Sequence, residues 1–229
     1  MKKPNIVYDD FILLLSCLIF LNFPQFEVRA QDSGNDLQSA VTYLSTFIAS
    51  DQFIKLKSSN NNLALIDTLF RRSLDYLEDD TSEALLALAL TTLTFNKMPV
   101  TLPLIGIKFF VPLPSMPDSI FVKRLRNMPG NFLIDSPNSD GSDKDKLPHF
   151  FGSAFLSYNL EFFNISKFIG ILVELFEETF KVQGRVDNRD LFVNNLGDLF
   201  GRQLKKDNII LPSQVLSLYS LQFIKYKFL

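Results

Sequence analysis

A chain of 229 residues, 47% of them hydrophobic, can bury one sizeable core and is too short for three independent domains. Its formal net charge is −2 at pH 7 and its 23 basic residues are scattered rather than striped, which argues against nucleic acid as the main partner. Cys17 is the only cysteine and His149 the only histidine, so the chain beyond the N-terminal run can hold no disulfide, thiolate nucleophile or two-histidine metal site.

Residues 1–30 have the pattern of a secretory signal: Lys2 and Lys3, an apolar segment from Phe11 to Phe23, and Val28-Arg29-Ala30 before Gln31. Two alternatives are an uncleaved anchor and lipid attachment at Cys17 within Leu14-Leu15-Ser16-Cys17. The apolar run is about 13 residues where a helical span needs about 20, which favours cleavage and export to the periplasm or cell envelope.

From Asp36 to Lys57, apolar residues recur at helical spacing (Leu37, Val41, Leu44, Phe47, Ile48, Leu56), which predicts one helix. Asn60-Asn61-Asn62 breaks the pattern, a second helix follows from Leu63 to about Glu78, and Thr81-Ser82-Glu83 opens a third that runs to Phe95. Residues 31–98 thus form an N-terminal helical module. Asp75, Glu78, Asp79 and Asp80 read as a solvated helix end, because they lack the glycine and the ligand spacing of a calcium loop.

Between residues 99 and 117, Pro99, Pro103, Pro112, Pro114 and Pro117 forbid a long helix. The β-branched and aromatic content predicts a short β-hairpin turned at Gly106, or an extended segment laid on a membrane with Phe109 and Phe110 inserted. A short helix from Ser119 to Asn127 carries Lys123, Arg124 and Arg126, either a solvated face or a contact for anionic lipid headgroups. Ser136 to Lys144 has the composition of an exposed linker, and closes a 99–144 segment between two helical modules.

Residues 145–229 form the second module, with helices expected at Lys146–Phe163, Ser166–Val182 and Asp190–Leu204, and the tail from Pro212 to Leu229 packing as a last helix or strand. Asp145 is the expected N-cap of the first, with Pro148 in its first turn. Asp145 and His149 are four apart and share a face that Gly152 extends. Asp190, Asn194, Gly197 and Gly201 fall within about 60° of one another at about 100° per residue. Glycines on such a stripe let another helix approach closely, which would bring Asp190 and Asn194 to His149 and Lys146. Glu174, on the middle helix, shares a mostly charged face with Glu177, Glu178 and Lys181, and an inward polar role is open for it.

The motifs Asp145-Lys146-x-x-His149-Phe150-x-Gly152-Ser153, Glu174 after Gly170, Gly184-Arg185, and Asp190-Leu191-x-x-Asn194-x-x-Gly197-x-x-x-Gly201 resemble the YfiM-type periplasmic lipoprotein family and, more distantly, VanZ-like envelope proteins. The resemblance covers residues 143–204 and implies a membrane-associated helical module in which Asp145, His149, Glu174, Asp190 and Asn194 line one polar site. VanZ-like proteins are built of membrane-spanning helices, whereas Lys167, Asp198 and Arg202 charge the corresponding segments here.

The expected fold class is therefore mainly α: a helical bundle with a proline-rich hairpin or extended segment between two helical modules. Two functions fit. In one, an exported envelope protein meets lipid headgroups or other envelope proteins, and Asp145, Lys146, His149, Glu174, Asp190 and Asn194 hold helices together or bind a ligand. In the other, a hydrolase or lipid-headgroup-processing enzyme uses His149 as general acid or base with Asp190 and Glu174, assisted by a divalent cation on Asp145, Glu174 and Asp190. No cofactor motif is evident.

Overall fold

The computed structural model describes residues 33–95, 97–101, 108–112, 116–137, 142–160, 188–207 and 209–221. The chain is mainly helical: α1 (Ser33–Ala49), α2 (Asp51–Ser59), α3 (Asn62–Tyr76), α4 (Thr81–Thr92), α5 (Asp118–Asn127), α6 (Lys146–Asn159), α7 (Asn188–Leu204) and α8 (Pro212–Leu216). The signal-like residues 1–30, Glu174 with its expected helix at 166–182, and the end of the tail lie outside the described residues.

The single helix expected over 36–57 is two, and Ser50 is the reason. Its backbone is extended, and its hydroxyl donates to the Phe47 carbonyl (2.6 Å) while accepting from the Phe53 amide (3.3 Å). One side chain thus ends α1 and caps α2. Asn61 and Asp80 cap α3 and α4 through Oδ1, on the amides of Ala64 and Glu83 at 2.9 Å. Between those helices Glu78 and Asp79 take left-handed backbone (φ 50° and 66°), so the acidic cluster is a tight reversal and a helix cap.

Two short strands, β1 (Lys97–Thr101) and β2 (Lys108–Pro112), pair antiparallel with Pro99 opposite Phe110. No helix among the described residues is long and apolar enough to cross a membrane.

One hydrophobic core draws on residues from Ala40 to Leu88 and from Leu147 to Tyr219. Phenylalanines knit it: the Phe200 ring on α7 lies 5.3 Å from Phe70 of α3, edge-on, and 5.3 Å from Phe150 of α6, stacked. Helix α8 docks on α3 by an unusual cap, in which Asp67 Oδ1 accepts from the Ser213 amide at 2.8 Å across 146 positions. Helix α5 is tied down by Asn127, whose buried amide donates to the Ile48 carbonyl at 2.9 Å.

Candidate functional site

Among the described residues, helices α6 and α7 form the most extensive helix pair. Contacts advance together along both, from Lys146 with Asp190, through Ser153 with Asn194, to Ser157 with Asp198, so the two run parallel. Small residues set the spacing. A Cβ on Gly197 would strike the Phe150 carbonyl and come within 2.9 Å of Ser153 Cβ, and one on Gly201 would strike the Ala154 carbonyl and Ser157 Oγ. Backbone packs on backbone there, leaving no room for a methyl group. Gly152, expected on the face that Asp145 and His149 share, differs: a Cβ there meets nothing within 4 Å, so this glycine lies away from the crossing.

At the N-terminal end of this seam sits the polar cluster. Lys146 Nζ donates to Asp145 Oδ2 (2.8 Å) and Asp190 Oδ1 (2.6 Å), with the lysine side chain only 3% exposed. His149 Nε2 lies 3.9 Å from the same Asp190 oxygen, beyond hydrogen-bond reach, and its side chain is 34% exposed. Asn194 lies deeper, buried, where its Oδ1 accepts from Ser153 Oγ at 3.0 Å instead of from His149 or Lys146. Asp145 does not cap α6 through its side chain, which the adjacent ammonium holds instead.

The structure therefore brings together Asp145, Lys146, Asp190 and, at the rim, His149, while Asn194 belongs to a separate pair one turn along. Among the described residues no group of three or more His, Cys, Asp or Glu is placed to hold a metal ion. The positive charge between Asp145 and Asp190 is the chain's own ammonium. A surface hollow of about 240 Å³, lined by Gln203, Asp207, Ile209, Ile210 and Gln214, lies at the other end of α7.

A second network beside the cluster escaped sequence reasoning. Asp143 is fully buried: its Oδ2 accepts from the amides of Phe132 (2.7 Å) and Leu133 (2.9 Å) and from Ser136 Oγ, and its Oδ1 pairs with Arg189 Nη2. Arg189 Nε is 3.3 Å from Asp135 Oδ1, and Asp135 Oδ2 accepts from Tyr219 Oη at 2.8 Å. The stretch expected to be an exposed linker thus contributes the most buried carboxylate among the described residues. Burial works against the Arg189 cation, but Asp143 and then Asp135 outweigh it and hold its pKa above the ordinary value. Burial, reinforced by Asp135, pushes Tyr219 up to about 12.

Nothing local marks these residues. Asp143 sits in an alternating Asp-Lys run that reads as solvated, and Arg189 is adjacent to Asp190 but points to a different partner. Ser153, Ala154 and Ser157 are the exception, because their small side chains at helical spacing mirror the glycine stripe of α7.

Compared with family models, curated proteins and solved structures, the chain matches no family model, no curated protein and no solved structure at significance.

Gly197→Ala and Gly201→Ala each lower stability in urea unfolding by about 1–3 kcal/mol or more, since the obstructing atoms are backbone. Gly152→Ala raises it by about 0.5–1 kcal/mol, the helix-propensity gain alone. For Tyr219 the folded pKa exceeds the unfolded value of 10, so its contribution is full below pH 10 and is lost as pH rises towards about 12. Tyrosinate absorbance should show one residue titrating in the highest step, and Tyr219→Phe should remove that step and flatten the alkaline fall in stability.

Proposed function

We propose that this chain is an exported cell-envelope protein, associated with the membrane or with other envelope proteins, in which the Asp145, Lys146 and Asp190 cluster, with the Ser153 and Asn194 pair below it and His149 at its rim, holds α6 and α7 in one register. Export is supported by the pattern of residues 1–30, and the envelope assignment by the resemblance of residues 143–204 to YfiM-type and VanZ-like proteins. In this reading the proline-framed strands form a hairpin between two helical segments, available to lipid headgroups or a protein partner.

The observation that carries the structural role is Lys146. Its ammonium is nearly inaccessible and already engages Asp145 and Asp190. A buried ion pair adds little net stability over an apolar pair, but removing one partner is costly, so such a pair discriminates between registers more than it strengthens the fold. Ser153 with Asn194 acts the same way deeper in the seam.

Acid–base chemistry at His149, the alternative, draws support from its one-third exposure beside a carboxylate. It asks Asp190 to orient the imidazole with an oxygen that Lys146 holds at 2.6 Å while His149 stays at 3.9 Å. Glu174, needed for the cation-assisted version, is outside the described residues.

Lys146→Ala should cost about 2 kcal/mol in urea unfolding. His149→Ala should stay within about 0.5 kcal/mol. A Lys146→Ala protein of unchanged stability would overturn the structural role; a fully stable His149→Ala protein with a lost cellular phenotype would favour chemistry. Export is tested by fractionating the tagged chain with and without residues 1–30. The full chain belongs in the envelope fraction and the truncated one in the cytoplasm, and a cytoplasmic full chain would defeat the assignment.

A further inference from the structure

Basic side chains from three parts of the chain meet at the C-terminal end of α5. Lys57 of α2 donates to the Asn127 carbonyl and Lys144 to the Arg126 carbonyl, each at 3.2 Å. Capping the last carbonyls of a helix with ammonium groups is ordinary end chemistry, but here it crowds positive charge onto one spot. Ser119, Val122, Lys123 and Arg126 recur at helical spacing and are all exposed, so α5 turns outward a face with two cations and an apolar side chain. Among the described residues no carboxylate comes within ion-pair distance of Lys123, Arg126 or Lys144.

Beneath this face lies Arg124, only 4% exposed. Its Nη2 donates to the Leu93 carbonyl at the end of α4 (2.8 Å), its guanidinium sits 4.8 Å from the Phe121 ring centre, and its Nε has no hydrogen-bond partner. Burial without a carboxylate lowers its pKa to about 10, which leaves it charged at neutral pH. The acid on α5 itself is Asp118, at the opposite end of the helix, and Asp145 is held by Lys146. A chain of net charge −2 thus concentrates unneutralised positive charge on one helix side.

We propose that the outward face of α5, with Lys144 beside it, is a docking surface for an anionic phospholipid membrane. The proposal rests on the membrane association put forward above and names the surface responsible. A helix side suits a lipid surface better than a small free anion. Val122, 61% exposed, stands between Ser119 and Lys123, where an acyl boundary would cover it while the cations meet phosphates.

The test is co-sedimentation of the full chain with vesicles of phosphatidylcholine alone or mixed with phosphatidylglycerol, at low and high salt. Binding should strengthen with the anionic lipid and weaken with salt. Lys123→Glu/Arg126→Glu should lower the partition coefficient on mixed vesicles roughly tenfold or more. The charge-matched Lys205→Glu/Lys206→Glu, on another exposed stretch, should leave it within about twofold. Circular dichroism checks folding of each variant, and Lys123→Gln/Arg126→Gln gives a milder change that should lower binding in the same direction. Equal binding to both vesicle types, or equal loss in both Glu variants, would overturn the proposal. So would a thermal shift with inorganic phosphate in a chain that ignores vesicles. Purified protein answers this whatever its cellular address, so failure here is distinct from failure of the export reading.

Discussion

The parallel approach of α6 to α7 at Gly197 and Gly201 is the constraint on which the rest depends. Because carbonyl groups of α6 occupy the space a side chain would need, the helices can meet at only one depth and one register. That register places Phe200 between Phe70 and Phe150, Asn194 against Ser153, and Asp190 over Lys146. Slide either helix by one turn and each of these pairs is lost together. The polar cluster is therefore downstream of the glycine seam: it checks the alignment that the backbone contact imposes.

Three cations, Lys146 and Arg124 buried and Arg189 partly buried, illustrate how differently one fold can accommodate positive charge. Lys146 and Arg189 each lie between two carboxylates, in arrangements where Coulomb attraction and hydrogen bonding offset lost hydration. Arg124 has only a carbonyl at a helix end and an aromatic face, weaker partners that nonetheless follow its planar geometry. The first two bind segments to one another, since their partners come from separate elements. The third leaves its charge uncompensated, and so contributes a field to the surface above it.

Much of the helical plan was legible because periodicity and caps are local. Asn61 and Asp80 announce their helices within a few residues, and the spacing of Asp190, Asn194, Gly197 and Gly201 identified the face on which α7 packs. Ser50 was missed because apolar spacing continues across it, and only its paired hydrogen bonds reveal the break. The partner of Asn194 was misjudged because wheel geometry gives a direction but no depth. Asp143, Asp135, Arg189 and Tyr219 were illegible for a deeper reason: their meaning is set by contacts spanning 46 to 84 positions, and in sequence each looks like an ordinary surface residue.

Asp143 also bears on the order in which the chain can close. Its Oδ2 is served by donors a few residues away, but its Oδ1 is paired by Arg189, 46 positions later. A chain synthesised from its N-terminus carries that carboxylate before the cation exists, and burying it half-paired is costly. Full pairing of the Asp143 carboxylate beside Phe132 and Leu133 therefore awaits α7. A polypeptide cut short before Arg189 lacks the cation that pairs this carboxylate, so the buried aspartate couples its corner of the fold to a helix 46 positions later.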